Sequence, residues 1–534
     1  MHHLVAGFSK FIHSPHIPFT ALILVNLLVG GLSFQAYGAS WDEPEFYKYA
    51  AAVPYAYSIE ERLSGQFDLE KSFGPFPEGH KMYGPAYLLM AGVLVRILTS
   101  VFQIPWYESW HLINFLSFQV GIVFFYLLCQ RWLSRRAAFS ATLLFSTQPI
   151  LWGHAFINPK DIPFMSFFLA AVYLGYRSMD SLAKAKGGFL KSPMQALGLL
   201  WIILPAGIVL GLLGSIRILG PFAGMLIILY ALLKYGLRSF PGILGMGLIA
   251  VLVNYLTWPY LWGNPIANYL EVLQYMADNP VILSVLFQGI FFRSNTLPFT
   301  YFPVTLFISF VESVWPLFFL GLAAITWKKS FKRMDWQSLF PALVWFFLPF
   351  FYVVIFRPPL YDGLRHFIFI LPPIFVCAGF ALERLFTWIR KTWMQAILVA
   401  VLVFPGTYGI LRLYPYEYTY YNSFIGGTGG AFRHFETDFW LTCYKEALEE
   451  IQKTKPEASL VYVFRNAALA GEYATDKLAV EDLRPVRNQV PEGSLMLFTT
   501  RFDDDLNVHP TDPLLLSVGR EGAVFCVVRE ASQK

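Results

Sequence analysis

Apolar runs of roughly 17 to 25 residues recur from Pro18 to Leu411, and they constrain the fold more than any other feature of the chain. A helix of that length crosses the ~30 Å hydrocarbon core of a bilayer with its own backbone hydrogen bonds satisfied. Of the 534 residues, 56% are hydrophobic and only 14% are charged, against about a quarter charged in an ordinary soluble domain. Many of the 52 Phe, 29 Tyr and 15 Trp lie near the ends of the runs, as aromatic belts at the headgroup level do. The net charge of +5 is modest. No basic run interleaved with aromatics points to nucleic acid, so none is expected as a partner. The expected fold class is an all-α polytopic membrane protein.

Eleven spans are predicted: Pro18–Gly38, His111–Gln130, Ala137–His154, Pro163–Met179, Ala196–Gly214, Ile218–Tyr235, Ile243–Trp258, Phe302–Trp327, Leu339–Phe356, Phe367–Phe386 and Trp393–Leu411. Ala36 to Ser40 would make a weak leader-cleavage site. The run before it is long and poorly charged at its start, so it reads as an anchor. A further stretch, Tyr83–Val101, is interrupted by Arg96 and reads as an amphipathic surface helix. With the N-terminus inside, the basic clusters fall in cytoplasmic loops: Arg131/Arg135/Arg136, Arg177/Lys184/Lys186/Lys191, Lys234/Arg238, Lys328/Lys329/Lys332/Arg333 and Arg384/Arg390/Lys391. Outer turns hold only isolated cations.

Two long loops, 39–109 and 259–301, then lie outside, the second with an amphipathic helix over Ile266–Ala277. Residues 1–412 form the membrane unit. Residues 413–534 are polar enough for a small external α/β domain, with a helix over Asp438–Lys453 and strands at Ser459–Phe464, Ser494–Thr499, Leu514–Val518 and Ala523–Val528. The Tyr-rich run Tyr414–Tyr421 reads as an interfacial belt and Gly426–Gly430 as a flexible turn. Cys129 and Cys377 lie in apolar runs. Cys443 and Cys526 are free to pair if their domain is outside, which the sequence leaves open.

Asp42 and Glu43 follow directly on the first span, where carboxylates must be solvated or paired. The topology gathers His80, Lys160, Asp161, Arg217, Arg293, Asp362, Arg365 and His366 at the same outer boundary. Carboxylates together with cations suit a reaction that has an anionic leaving group and a hydroxyl nucleophile. Two carboxylates close together would also raise the pKa of one of them. Plainer readings stand beside this one. Asp42 and Glu45 have capping-box spacing, and Asp161 could cap the next span. Arg217 could snorkel, and Arg365-His366 could anchor a span at the headgroups.

An acidic pair after the first span, followed by Tyr83-Gly-Pro-Ala-Tyr, resembles the membrane glycosyltransferases of the GT-C fold. Within these the chain is most similar to the protein O-mannosyltransferase-like family (glycosyltransferase family 39) and the lipid A aminoarabinose transferases, over residues 15–410. Gln130-Arg-Trp-Leu-Ser-Arg-Arg-Ala-Ala resembles the family's basic inner turn, while Gly84-Pro85 and Asn158-Pro-Lys-Asp depart from its commoner forms. The resemblance implies a polyprenyl-phosphate-linked sugar as donor, a lipid, glycan or protein hydroxyl as acceptor, and a bacterial inner membrane as location. It implies inverting transfer with Asp42 as base, helped by Glu43 and Asp161. Arg217, Arg365, Lys160, Arg293 and His366 would hold the donor phosphate; Trp41, His80 and Tyr83 would face sugar or acceptor. No cofactor is required; a divalent ion between Asp42 and Asp161 is an option that no spacing supports. The competing readings are a secondary transporter or lipid flippase, and a membrane scaffold that presents the tail domain.

Overall fold

The eleven apolar runs are helical over most of their described residues, and two of them are interrupted midway. The computed structural model describes residues 17–185, 193–278, 281–326 and 335–532; Lys186, Lys191, Lys328, Lys329, Lys332 and Arg333 of the expected inner loops lie outside these ranges. The longer helices are α1 Ile17–Ser33, α2 Glu43–Ala52, α3 Ala86–Val101, α4 Trp106–Cys129, α5 Arg135–Ser146, α6 Pro149–Ile157, α7 Asp161–Lys184, α8 Pro193–Gly214, α9 Pro221–Tyr235, α10 Phe240–Thr257, α11 Pro265–Asp278, α12 Tyr301–Ile308, α13 Val314–Thr326, α14 Trp336–Phe356, α15 Pro372–Trp388, α16 Thr392–Leu413 and α17 Cys443–Thr454. Among the described residues, four stretches are long and apolar enough to cross a membrane on those criteria alone: α4, Pro221–Thr257, α14 and α16.

The run predicted over Ala137–His154 is split into α5 and α6 by Pro149, which has no N–H to continue a helix. The run over Phe302–Trp327 is split into α12 and α13. Irregular backbone survives among apolar helices only where its polar groups find partners, and the second break finds them at the first break and in the tail. The Gln148 side-chain oxygen accepts from Val311 N–H at 3.3 Å. Asn422, from the tail, donates to the carbonyls of Phe307 and Phe310 at 2.9 and 3.0 Å.

Helix α3 has 16 residues, about 24 Å at 1.5 Å per residue, short of a full crossing. It buries Tyr87, Leu88, Ala91 and Val95 and exposes Val93, Leu94, Arg96 and Ile97, as expected for a surface helix; its buried face packs on α4. Helix α11 occupies the place predicted for the second amphipathic helix. A hairpin that the sequence reading missed, β1 Ser284–Phe287 and β2 Ile290–Arg293, follows it.

The tail carries a five-stranded mixed sheet built from β3 Leu460–Val463, β4 Ala479–Asp482, β5 Leu495–Thr499, β6 Leu514–Arg520 and β7 Ala523–Glu530, in the order β4-β3-β5-β7-β6. Cys443 of α17 and Cys526 of β7 form a disulfide that clamps helix to sheet. Two tail expectations need correction. Tyr416, Tyr418, Tyr420 and Tyr421 are buried rather than displayed in an interfacial belt. Tyr418 and Tyr420 share the main core with the membrane helices, as do Phe439 and Trp440. The glycine stretch contains a short helix, Gly427–Ala431, and not a flexible turn. A Cβ at Gly38 would stand 2.2 Å from the Thr442 carbonyl, so the loop after α1 and the tail can pack this closely only through a glycine.

Candidate active site

Four connections at one end of the bundle each deliver charge to the same place. The Asn158-Pro-Lys-Asp turn shows how local structure frees a side chain for longer reach. Lys160 is the N-cap of α7 and makes no side-chain capping bond; ahead of it Asn158 Oδ1 accepts from the backbone N–H groups of Lys160 and Asp161 at 3.2 and 2.8 Å in an Asx turn. Asp161 is thereby free to accept from Asn158 Nδ2 at 2.9 Å through Oδ2 and to pair with Arg217 through Oδ1. Arg217 is therefore tied across the bundle and does not snorkel outwards. The turn that bears it is set by Gly84: a Cβ there would lie 2.3 Å from the Ser215 carbonyl oxygen, and Ala86 N–H donates to that same oxygen at 3.0 Å.

Asp42 occupies the N-cap position of α2, yet its side chain makes no capping bond. Its Oδ2 accepts instead from Lys160 Nζ at 2.9 Å and from Arg365 Nη1 at 2.6 Å. Arg365 is presented by the turn after α14, where Asp362 and Gly363 take left-handed φ values of 57° and 65°. Asp and Gly tolerate that region. Arg365 Nη2 reaches back to Asp362 Oδ2 at 3.1 Å.

A cavity of about 330 Å³ opens onto this cluster. Its polar wall is Lys160, Arg217, Arg365, His366, Tyr83 and Tyr361; its apolar wall includes Ile218, Leu219, Leu273, Met276 and Tyr352. Asp42 and Asp161 do not line it. They stand behind the cations that they pair, so the surface offered to a ligand is cationic. Asp42 remains 23% exposed.

Burial alone would raise the Asp42 carboxyl, but the charges and hydrogen bonds of Lys160 and Arg365 outweigh it and hold the group well below the usual carboxylate range. This is opposite to the rise expected from two neighbouring carboxylates. His366 is pushed well below its ordinary value by burial and then by Arg365, Arg217 and Lys160, so at neutral pH it is an uncharged imidazole and not a cation.

The other residues singled out from the sequence are placed elsewhere. Glu43 is fully buried: it accepts from Ser40 N–H and Tyr47 Oη, both at 2.5 Å, and pairs with His111 Nε2 at 3.1 Å. Trp41 stands beside the Arg501 guanidinium, 5.7 Å from ring to Cζ, outside the cavity lining. His80 is buried against Tyr49 and bonded to the Phe73 carbonyl at 2.7 Å, and burial lowers its pKa. Arg293 is exposed at the end of β2 and does not reach the cavity. Tyr83 alone of the expected sugar-facing trio lines it. Sequence reasoning missed Arg501 and Glu436 of the tail, buried next to Asp362. Nothing in their local sequence marks them, because the tail reaches the cluster only through tertiary packing.

A divalent ion does not fit between Asp42 and Asp161, since the first carboxylate is held by two cations and the second by Arg217 and the Asn158 amide. Among the described residues, one set of three metal-type ligands lies within reach of a common point, Asp438, Cys443 and Cys526. Its two sulfurs form the disulfide and are not thiolates.

No family model matches the chain, and no curated protein sequence matches it. Solved structures do. ArnT from Cupriavidus metallidurans in the apo state is 16% identical over 98% of each chain, with a TM-score of 0.47. The Archaeoglobus fulgidus oligosaccharyltransferase tethered with an acceptor peptide is 12% identical, with a TM-score of 0.50 over 88% of this chain and 64% of that one. The A. fulgidus oligosaccharyltransferase AglB in complex with an inhibitory peptide and a dolichol-phosphate is 12% identical, with a TM-score of 0.47 over 91% of this chain and 70% of that one. At these identities the likeness concerns the fold alone, the GT-C fold of the tethered oligosaccharyltransferase.

Proposed function

We propose that the protein is an inverting glycosyltransferase that moves a monosaccharide from a polyprenyl-phosphate carrier to an acceptor hydroxyl on the outer face of a bacterial inner membrane. The observation that carries this reading is the joining of three cations, Lys160, Arg217 and Arg365, to apolar side chains of α11 and α14 in one cavity. A phosphate fits the cations, and an isoprenoid chain fits the apolar surface. A second, almost wholly apolar groove of about 830 Å³ lies between α8, α9, α10 and α11, lined by Gly211, Gly224, Val251, Tyr269 and Leu270. It shares α11 with the cavity and is suited to the rest of the isoprenoid chain. The disulfide supports an oxidising compartment for the tail, and hence for this end of the bundle.

Chemistry follows from the ion pairs. The donor phosphate competes with Asp42 for Lys160 and Arg365. As it binds, Asp42 loses its cation partners, its pKa climbs, and it becomes a better base where the acceptor arrives. Asp42 accepts the hydroxyl proton, the acceptor oxygen bonds to the anomeric carbon, and the bond from that carbon to the phosphate oxygen breaks with its electron pair. The leaving polyprenyl phosphate is stabilised by Lys160, Arg217 and Arg365, with His366 as a neutral hydrogen-bond donor. One displacement inverts the anomeric centre. Asp161 orients Arg217; Glu43 fixes the loop that carries Asp42.

The test is to reconstitute the purified protein with membrane lipid extract that contains radiolabelled polyprenyl-phosphate sugars. Label moving to an acceptor, with polyprenyl phosphate released, supports the reading. If no pool yields transfer but lipid-linked sugar crosses the bilayer, the protein is a flippase.

A further inference from the structure

The cation that faces Asp42 is itself held from the far side by the tail. Asp362 is 3% exposed, and a carboxylate so buried needs full compensation. Its two oxygens are divided. Oδ2 takes Arg365 Nη2 at 3.1 Å and Trp440 Nε1 at 3.3 Å; Oδ1 takes Arg501 Nη2 at 2.5 Å. Arg501 follows β5 of the external sheet, is 8% exposed, and is fixed further by donating to the Phe439 carbonyl at 2.5 Å. The result is an unbroken series of ion pairs from tail to cleft: Arg501, Asp362, Arg365, Asp42, Lys160.

We propose that Arg501 is a positioning residue contributed by the C-terminal domain, which holds Asp362 so that one edge of the Arg365 guanidinium is left to face Asp42 and the donor phosphate. This rests on the reading of the cleft as a lipid-phosphate site. Without Arg501, Asp362 would have one charged partner in place of two and would draw Arg365 towards both of its oxygens. Glu436 does not replace Asp362 as the partner of Arg501: it stands 3.7 Å away where Asp362 stands at 2.5 Å, and burial raises its carboxyl. The external sheet is then part of the site and not an appendage to it.

The experiment compares full-length wild type with Arg501→Met, Arg501→Lys and Arg501→Met/Asp362→Asn, each shown to be folded by gel filtration and thermal unfolding in detergent. Two quantities are read: binding of polyprenyl phosphate by native mass spectrometry, and sugar transfer against donor concentration. Loss of one charge-assisted contact predicts about tenfold weaker binding and a similar rise in the donor KM for Arg501→Met, with kcat changed less than about threefold. Arg501→Lys keeps the charge and recovers part of the loss. The double variant also recovers, because the neutral amide that replaces the Asp362 carboxylate no longer competes for Arg365. A merely structural role would lower stability without splitting KM from kcat, and the second substitution would add to the damage. That outcome, or Arg501→Met with wild-type binding, overturns the proposal. Wild type that neither binds polyprenyl phosphate nor transfers sugar overturns the reading of the cleft, and this inference with it.

Discussion

The pair between Asp161 and Arg217 offers a direct test of whether the cluster is a buried, mutually compensated set of charges. Their side chains are 3% and 14% exposed. Removing one partner of such a pair costs ~3–5 kcal/mol, most of it the penalty of leaving the other charge buried and alone. Arg217 reaches the cavity and can be partly solvated there, so Asp161→Asn should fall at the lower end, ~3 kcal/mol. Asp161 has no such outlet, although Asn158 still donates to it, so Arg217→Met should cost as much or more. Replacing both, as Asp161→Asn/Arg217→Met, removes both charges and leaves an acceptor for the Asn158 amide, which should be close to neutral. Unfolding in mixed micelles at increasing denaturing-detergent fraction, read by circular dichroism, would place the four proteins on one scale. The double variant should lie within ~1 kcal/mol of wild type while each single variant lies well below it. Single variants at wild-type stability, or losses that simply add in the double variant, would refute the argument.

Two further outcomes follow from the tail. The disulfide closes a loop with a sequence separation of 83, so the chain-entropy model assigns it ~4–5 kcal/mol of stabilisation. Reduction, or Cys443→Ser/Cys526→Ser, should therefore make the sheet the first part cut in a limited-proteolysis time course while α1 to α16 stay protected. Glu417 is fully buried with Tyr37 Oη donating to it at 2.9 Å, and burial pushes its carboxyl up to about 8. The unfolded chain releases that proton near the ordinary value of about 4.5, so the folded state binds more protons between the two values. Stability must then fall as pH rises from about 4.5 to 8 and level off on either side. Glu417→Gln keeps an acceptor for Tyr37 and should flatten that slope in thermal unfolding measured across the same window.

How much of this was legible depended on the range of the interaction. The helices were legible because run length and the hydrocarbon thickness fix them, and α3 and α11 because their polar and apolar faces alternate with helical period. The break at Pro149 was readable in principle from the proline; the break after Ile308 was not, because what satisfies it is Asn422, more than a hundred residues away. The gathering of Asp42, Lys160, Asp161, Arg217 and Arg365 followed from topology alone. Their internal arrangement did not, since no local pattern says that Asn158 takes the N–H of Asp161 and that Asp161 itself caps nothing. Asp42 and Glu43 are adjacent in sequence yet point to different surroundings, one to cations at the cleft and the other to Tyr47 and His111 in the core. The tyrosine run misled because a belt at the headgroups and a buried seam between two packed units have the same composition. Arg501 was invisible for the same reason as Asn422: its partner is set by how the tail folds back.

If Asp42 is the base behind a cationic lipid-phosphate site, as proposed, then sugar transfer by Asp42→Asn is the assay that decides it. Wild type and variant would be compared at matched expression and with matched unfolding profiles, using radiolabelled lipid-linked sugar from membrane extracts. The variant is expected still to bind polyprenyl phosphate, since Lys160 and Arg365 lose a competitor, while transfer falls by ~10²-fold or more and lipid-linked sugar accumulates. Equal transfer by the two proteins would remove Asp42 from the chemistry and leave the cleft without its proposed base.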